Sequence, residues 1–307
     1  MAVAAPHPVT AEAVARRLKG GKADVSGVIF RVLLIAAVSF SLLVLVILVW
    51  SQVTGGWDVL SGRLGDFLTS KNSRLASRSG IIQGLVGTLT IGLFVAGLAF
   101  PIGVSAAIYL EEYAPRSRLT RFIDVNIRNL AGVPSIVYGI LGFTIFVKTM
   151  GDVTGGRSLL AAGFTLAILA LPIVIITSSE AIRAVPDSIR EAGFGVGATK
   201  WEVIRSHVLP YAAPGILTGT MLALARALGE AAPLILVGAV TGFFTGGEFG
   251  DVRGSFTAMP VQLFYWAKQP SDDWRANTAA GIVVLLFVVL AINSAAIALR
   301  NVYEKKR

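Results

Sequence analysis

The sequence contains no cysteine, and His7 and His207 are its only histidines among 307 residues. The absence of cysteine excludes disulfides, a thiolate nucleophile and cysteine-ligated metals, and it leaves the redox compartment undetermined. Two imidazoles far apart in the chain argue against a histidine-rich metal centre. We therefore expect no metal site in this chain.

Charged residues are also scarce. They make up 15% of the chain, whereas 54% is hydrophobic and the mean hydropathy is +0.73. Soluble domains carry about 25% charged residues. This composition predicts a membrane protein, and the long apolar runs described below predict an all-α one.

A nucleotide-binding phosphate loop is absent as well. The glycine-rich segment 238–254 lacks the Lys-Ser/Thr pair of a GxxxxGK[ST] motif, and no other stretch supplies one. We expect that the chain does not hydrolyse nucleotide by itself.

Long apolar runs predict six transmembrane helices. They cover residues 32–50, 81–110, 130–147, 158–179, 212–240 and 278–299. The fifth run qualifies although it contains Arg226 and Glu230. In the second run, Pro101 and Gly103 predict a kink or a break.

The net charge of +9 comes from basic residues whose positions indicate orientation. Of the 27 lysines and arginines, seventeen lie in the tails 1–31 and 300–307 and in the loops after spans two and four. Nine lie in the other three loops, which include 51–80. By the positive-inside rule both termini face the cytoplasm, so no nucleic-acid partner is needed to explain the charge. No small-residue cleavage site follows the first span, which predicts a retained helix and not a signal peptide.

The loop 180–210 between spans four and five contains two helix-start signals. Ser188–Glu191 and Thr199–Glu202 both fit the S/T-x-x-E capping box, and Gly195 and Gly197 lie between them. Pro210 is expected to stop the second helix before the chain re-enters the membrane. The pattern predicts a helical hairpin that protrudes into the cytoplasm.

The hairpin resembles the EAA loop of permease subunits of binding-protein-dependent ABC importers. The residues that carry the resemblance are Glu191, Ala192, Gly193, Gly197, Leu209 and Pro210. Gly193 stands where the family often has alanine, and His207 where it often has isoleucine. The resemblance implies that this loop docks in a groove of a separate ATPase subunit and transmits its closure to the membrane helices. The alternative is a loop that merely connects two spans.

Three further segments resemble bacterial high-affinity phosphate permeases, and more closely the PstA-type than the PstC-type subunit. These segments are 101–114, 129–147 and 225–233, and the resemblance extends over about residues 80–300. It implies a type I ABC importer permease fold with a core over 81–299. The implied partners are a PstC-like permease subunit, a dimer of ATP-binding subunits that use ATP and Mg, and an extracytoplasmic phosphate-binding protein, besides the membrane lipid. No cofactor is implied for this chain.

Arg226 and Glu230 are the charged residues expected at bilayer depth. Residues four apart share one face of a helix, so the two can pair and lower the cost of insertion. Because intramembrane charges usually face a pathway and guanidinium suits phosphate, we hypothesise that Arg226 lines the translocation path and that Glu230 holds it when the path is empty. Pro134 and Ser135, at the start of span three, are further candidates for the path. The alternative is a buried structural ion pair, with Pro134 and Ser135 serving only helix entry.

Two other functions are alternatives to phosphate import. Another oxyanion, such as phosphonate or sulfate, would suit the same arginine. A polytopic membrane enzyme would need a paired acid and base or a metal set on facing spans, and the spans offer only Arg226 and Glu230.

Overall fold

The computed structural model describes residues 25–239 and 252–305, without the side chains of Leu299 and residues 302–305. Every regular element in these ranges is helical. In chain order the α-helices are α1 Val25–Gly55, α2 Trp57–Gly62, α3 Leu64–Thr69, α4 Ile82–Ile108, α5 Arg118–Ala131, α6 Ser135–Gly142, α7 Gly151–Thr154, α8 Leu159–Arg183, α9 Asp187–Gly195, α10 Lys200–Val203, α11 Leu209–Gly229, α12 Ala232–Val237, α13 Met259–Ala267 and α14 Asp272–Lys305. A short 3-10 turn covers Ala76–Arg78. π-helical turns follow α4, α6 and α10, over Tyr109–Tyr113, Phe143–Thr149 and Ile204–Val208.

The chain divides into two compact units, residues 1–51 and 52–307. In the first unit, α1 is strongly apolar and none of its side chains is buried. In the second unit, α8 is the central helix, and Leu166, Ala170 and Val174 lie in the main hydrophobic cluster together with residues of α4 and α11. A second cluster, around Phe67 and Trp266, packs the segment after α1 against α13 and α14.

Five helices are long and apolar enough to cross a membrane, and a sixth span is obtained if the bent pair Arg118–Ala131 and Ser135–Thr149 is counted as one. The prediction of an all-α protein with six transmembrane helices is confirmed at this level. The third and fifth spans lie at other bounds than those expected, and the second span differs at Pro101.

The third span does not begin at residue 130. Residues up to Ala131 belong to α5, and the chain turns by 100° before α6 begins at Ser135. Pro134 disfavours a helical conformation at Val133 and has no amide hydrogen to continue the helix. Hydropathy alone joins the two segments because it carries no information on direction.

The break expected at Pro101 is absent. Helix α4 runs through Pro101 and continues into the turn at Tyr109–Tyr113. Neighbouring helices can compensate for an internal proline in a membrane helix. Gly103 serves close packing, because a Cβ there would lie 2.6 Å from Cγ1 of Val174 on α8.

The fifth span is displaced toward the N-terminus. One helical segment runs from Lys200 to Gly229, so Pro210 does not stop it, as was expected. The π-helical turn just before Pro210 already shifts the hydrogen-bond register, which accommodates the proline. At the other end the helix stops at Glu230, whose backbone is extended (φ −80°, ψ 121°). The segment 212–240 is therefore not one helix, and most of the glycine-rich segment 238–254 lies outside the described residues.

Candidate functional site

The two intramembrane charges lie on either side of the end of α11. Arg226 is in its last turn, and Glu230 is the first residue beyond it. Arg226 Nε lies 3.7 Å from Glu230 Oε1, although Glu230 is no longer helical. A cation in the last turn of a helix also interacts favourably with the partial negative charge there. The ion pair thus forms across the break in the helix.

The side chain of Arg226 is not buried among the helices. Its side chain is 53% exposed, and that of Glu230 is 20% exposed. Arg226 lines an open cavity of about 370 Å³ with five uncharged residues, Ala131, Ile173, Ile176, Thr177 and Leu222. These residues come from α5, α8 and α11, and sequence reasoning missed them because no motif marks them. The cavity presents one guanidinium among apolar walls.

Pro134 and Ser135 are not among the residues that line this cavity. Pro134 is the residue before α6, and Ser135 is its first residue. The bend that precedes them is fastened by Tyr138, whose hydroxyl donates a hydrogen bond of 2.9 Å to the carbonyl oxygen of Leu130. A path-lining role for Pro134 and Ser135 stays a prediction.

After α8 the chain forms the short helix α9, a tight turn, and then the first residues of the long helical segment Lys200–Gly229, which complete the hairpin. Helix α9 ends at Gly195, and Gly197 has a left-handed backbone with φ of 83°. The capping box at Thr199 is present: the Glu202 amide donates to Thr199 Oγ1 at 3.4 Å, and the Thr199 amide donates to Glu202 Oε2 at 2.7 Å. The prediction of a capping box at Ser188 is wrong. Helix α9 begins at Asp187, directly after Pro186, whose fixed φ favours a helix start, and no side chain caps it.

The residues of the EAA resemblance take different positions in this hairpin. Gly193 is buried, and a Cβ there would lie 2.8 Å from Cγ2 of Val203, which explains why a small residue is needed where the two helices cross. Leu209 is partly buried. The other four, Glu191, Ala192, Gly197 and Pro210, are exposed.

The tip of the hairpin also exposes large apolar side chains, which sequence reasoning missed. Phe194, Val196 and Trp201 are 49%, 83% and 52% exposed. Several large apolar side chains exposed on one short segment are typical of a contact surface. The residues that carry the EAA resemblance gave no signal for these side chains, since none of the three is among them.

Two arginines contact the end of α4, Arg190 from the hairpin and Arg183 from the last turn of α8. Arg190 donates to Glu112 Oε1 from Nε at 3.2 Å and from Nη2 at 2.9 Å. It also donates to the carbonyl oxygens of Ile182 and Val185 at 3.0 and 2.7 Å, which satisfies the end of α8. Arg183 binds both oxygens of Glu111, at 3.2 and 2.6 Å. A movement of α9 therefore acts directly on the end of α4.

A membrane-spanning helical bundle with an arginine-lined cavity and an anchored helical hairpin defines a polytopic transport protein of the permease class. The chain belongs to the family of binding-protein-dependent transport system inner membrane components, whose model matches residues 99–307. The predicted family is thus confirmed, and with it a multi-pass protein of the inner membrane.

Similar proteins include the phosphate transport system permease protein PstA of Yersinia pestis, which is 34% identical over 90% of this chain and 89% of its own length. PstA 1 of Mycobacterium tuberculosis strain H37Rv is 32% identical over 87% of this chain and 85% of its own.

Among solved structures, the MetNI methionine ABC transporter in an inward-facing conformation matches with a TM-score of 0.59 and 19% identity, over 73% of this chain and 95% of that one. A bacterial ABC transporter that imports the polysaccharide alginate matches with a TM-score of 0.58 and 16% identity, over 88% and 97%. These two likenesses confirm the type I ABC importer permease fold.

Proposed function

We propose that this chain is the PstA-type permease subunit of an ATP-driven importer and that it passes inorganic phosphate across the inner membrane. The observation that carries the proposal is the position of Arg226, which lines an open cavity and lies in a helix long and apolar enough to cross a membrane, in a chain similar to PstA proteins over nine-tenths of its length. An intramembrane charge that faces a cavity is a functional group by default, and guanidinium pairs bidentately with phosphate.

Glu230 sets how tightly Arg226 holds the anion. At 3.7 Å the two side chains form a loose ion pair, which leaves guanidinium donors for a passing phosphate. When phosphate leaves, Glu230 neutralises Arg226 again, which lowers the cost of an unpaired charge in the membrane. Affinity stays low enough for release, as transport requires.

The energy comes from other subunits. The exposed Phe194, Val196 and Trp201 at the tip of the hairpin, with Glu191 beside them, form the surface that docks on an ATP-binding subunit. Two such subunits, a PstC-like permease and an extracytoplasmic phosphate-binding protein complete the assembly. The chain itself is not an enzyme and binds no cofactor. Both termini face the cytoplasm, on the side of the hairpin.

Closure of the ATP-binding subunits moves α9, and two connections carry the movement inward. The first is the ion pair between Arg190 and Glu112, which reaches α4. The second is the helical segment Lys200–Gly229, which ends three residues after Arg226, just before Glu230. The spans then alternate between outward and inward access around the cavity.

The test is phosphate uptake in cells that depend on this chain. We expect Arg226→Ala to lower uptake about 10- to 100-fold, since a hydrogen-bonded charged contact contributes about 1.5–3 kcal/mol. Arg226→Lys should keep part of the uptake because the charge is retained. Arg275→Ala, at an exposed ion pair on α14, is the control and should leave uptake unchanged.

The amount of each variant in the membrane is measured alongside uptake. If Arg226→Ala keeps both its abundance and its uptake, Arg226 has no role in the path. Competition by unlabelled sulfate and phosphonate tests the cargo: phosphate alone should compete at low excess, and equal competition by sulfate or phosphonate would replace phosphate with that anion.

A further inference from the structure

Helix α5 lies across the direction of the span that follows it. Its axis makes an angle of 100° with α6 and the turn after it, so α5 runs roughly along the membrane plane when that span crosses the bilayer. Its apolar residues Leu119, Phe122 and Ile123 are exposed, and the helix buries no residue. An amphipathic, basic helix with this orientation is typical of the membrane interface.

The first turn of α5 and the residues just before it carry positive charge that no carboxylate of the described residues pairs with. Within the described ranges, no ion pair joins Arg116, Arg118 or Arg121 to a carboxylate. Other arginines near this helix are paired. Arg128 binds Asp124 at 3.1 Å, and Arg183 binds Glu111 at 2.6 Å. Since the carboxylates nearby are already engaged, Arg116, Arg118 and Arg121 are left to attract an anion from outside the chain.

These arginines surround one depression of about 730 Å³ between the end of α4 and the start of α5. Four arginines and two carboxylates line it: Arg116, Arg118, Arg121, Arg183, Glu111 and Asp124. The hydroxyl of Ser117 lies on its wall and is a polar group of the kind that binds phosphate oxygens, whereas the hydroxyl of Thr120 donates its hydrogen to the carbonyl oxygen of Pro115 at 2.7 Å. The excess of positive charge, the polar lining and the size favour an anionic headgroup.

We propose that this depression, which we call the arginine depression, binds the phosphate headgroup of an anionic phospholipid. The acyl chains of that lipid lie along the exposed apolar face of α5, at Leu119, Phe122 and Ile123. A lipid accounts for both the positive charge of the depression and the exposed apolar face beside it. A free anion would account for the charge alone. Basic pockets beside membrane helices recognise anionic headgroups in this way.

The arginine depression also lies next to a contact between helices that the proposed transport cycle moves. Glu111 lines the arginine depression and binds Arg183 at the start of the hairpin segment. A headgroup held by Arg116 and Arg118 therefore sits next to the connection between α4 and the hairpin. Binding of the lipid does not depend on which anion the protein transports, so the two proposals fail separately.

The experiment uses the full chain, purified with the subunits that accompany it and placed in nanodiscs. Retained lipid is measured by native mass spectrometry after exchange against equal amounts of phosphatidylglycerol and phosphatidylcholine. We expect phosphatidylglycerol to be retained in preference by about tenfold. Combined replacement of Arg116, Arg118 and Arg121 by glutamine should abolish this preference.

Two further variants separate lipid binding from loss of structure. Replacement of the same three arginines by lysine keeps the charge and should keep most of the preference. Replacement of Lys71, Arg74 and Arg78 by glutamine removes the same amount of charge from another loop and should change nothing. Unchanged preference in the first glutamine variant, or the same loss in the second, would overturn the proposal.

The source of the phosphate group is tested by adding inorganic phosphate in large excess. Because the apolar face contributes to binding, we expect phosphatidylglycerol to stay bound. Displacement by inorganic phosphate would show instead a site for the free anion. If the whole assembly retains no lipid in preference and the amides of α5 are protected from hydrogen exchange, another subunit covers the site and the proposal is overturned.

Discussion

Arg190 donates two hydrogen bonds to a single oxygen of Glu112, from Nε at 3.2 Å and Nη2 at 2.9 Å. The contact joins residues 78 positions apart and connects the hairpin to the end of α4. Its side chains are only 18% and 9% exposed. Water therefore screens it less than the neighbouring pair of Arg183 and Glu111, in which the arginine is 58% exposed.

We expect Glu112→Gln to lower phosphate uptake about tenfold while ATP hydrolysis by the assembly continues. The substitution removes the charge that Arg190 binds, a contribution of about 1.5–3 kcal/mol. Uptake in cells and ATP hydrolysis in reconstituted membranes give the ratio of transport to hydrolysis. Glu111→Gln is the matched control and should change this ratio far less. Equal effects of the two variants, or a parallel fall of uptake and hydrolysis, would show that the contact serves stability alone.

Two glycines, Gly195 and Gly197, lie in the turn of the hairpin, and the backbone conformation requires glycine only at Gly197. Gly197 has φ of 83°, where a side chain costs about 1–2 kcal/mol, whereas Gly195 has no positive φ and open space around its Cα. We expect Gly197→Ala to weaken association with the ATP-binding subunit and Gly195→Ala to leave it intact. Co-purification of the two subunits measures this. A loss of association in Gly195→Ala alone would contradict the role assigned to the turn.

The capping box makes a prediction that depends on pH. The hydroxyl and the amide of Thr199 donate hydrogen bonds to Glu202, which lowers the pKa of that carboxyl below its ordinary value. This stabilisation is therefore fully present above the ordinary glutamate pKa and is lost as the pH falls through the lowered value.

We expect Thr199→Ala to raise the pKa of Glu202 toward its ordinary value, as followed by NMR titration of the carboxyl carbon. Ser188→Ala is the control, because Ser188 caps no helix, and should leave that pKa where it is. If the pKa of Glu202 does not change in Thr199→Ala, the capping hydroxyl does not set it.

Close packing of α4 against α8 makes a further prediction. We expect Gly103→Val to reduce the folded amount of the protein, because even a single carbon atom at this position lies 2.6 Å from the buried Val174. Overpacking of this kind costs about 1–3 kcal/mol. Gly97→Val, in the same helix but with nothing within 4 Å, is the control. Thermal stability in detergent, measured by the fraction that stays monodisperse, distinguishes the two variants.

Hydropathy and motif spacing predicted the helical class, the number of spans and the hairpin. These predictions were right where neighbouring residues in the sequence alone decide the structure, as at the turn of Gly197 and at the capping box of Thr199. They failed where the outcome depends on direction or on neighbours. The 100° bend before Ser135 separates two apolar segments that hydropathy joins, and Pro101 and Pro210 lie inside helices because packing and a π-helical turn accommodate them.

The candidate site was predicted in part. The contact between Arg226 and Glu230 follows from their spacing, but the helix was expected to continue through both, and it ends between them. The cavity walls could not be predicted, since Ala131, Ile173 and Leu222 are ordinary apolar residues brought together only by the fold. The same holds for Glu112 and Arg190, which no sequence pattern connects.

The single helical segment from Lys200 to Gly229 connects the hairpin to Arg226 directly. At 1.5 Å per residue, Lys200 and Arg226 are about 39 Å apart along one axis. A tilt of roughly 5° about the middle of such a rod swings its two ends by about 1.7 Å in opposite senses. In the proposed mechanism, a push at the hairpin would therefore shift the guanidinium of Arg226 by roughly half the length of a hydrogen bond through this one helical segment.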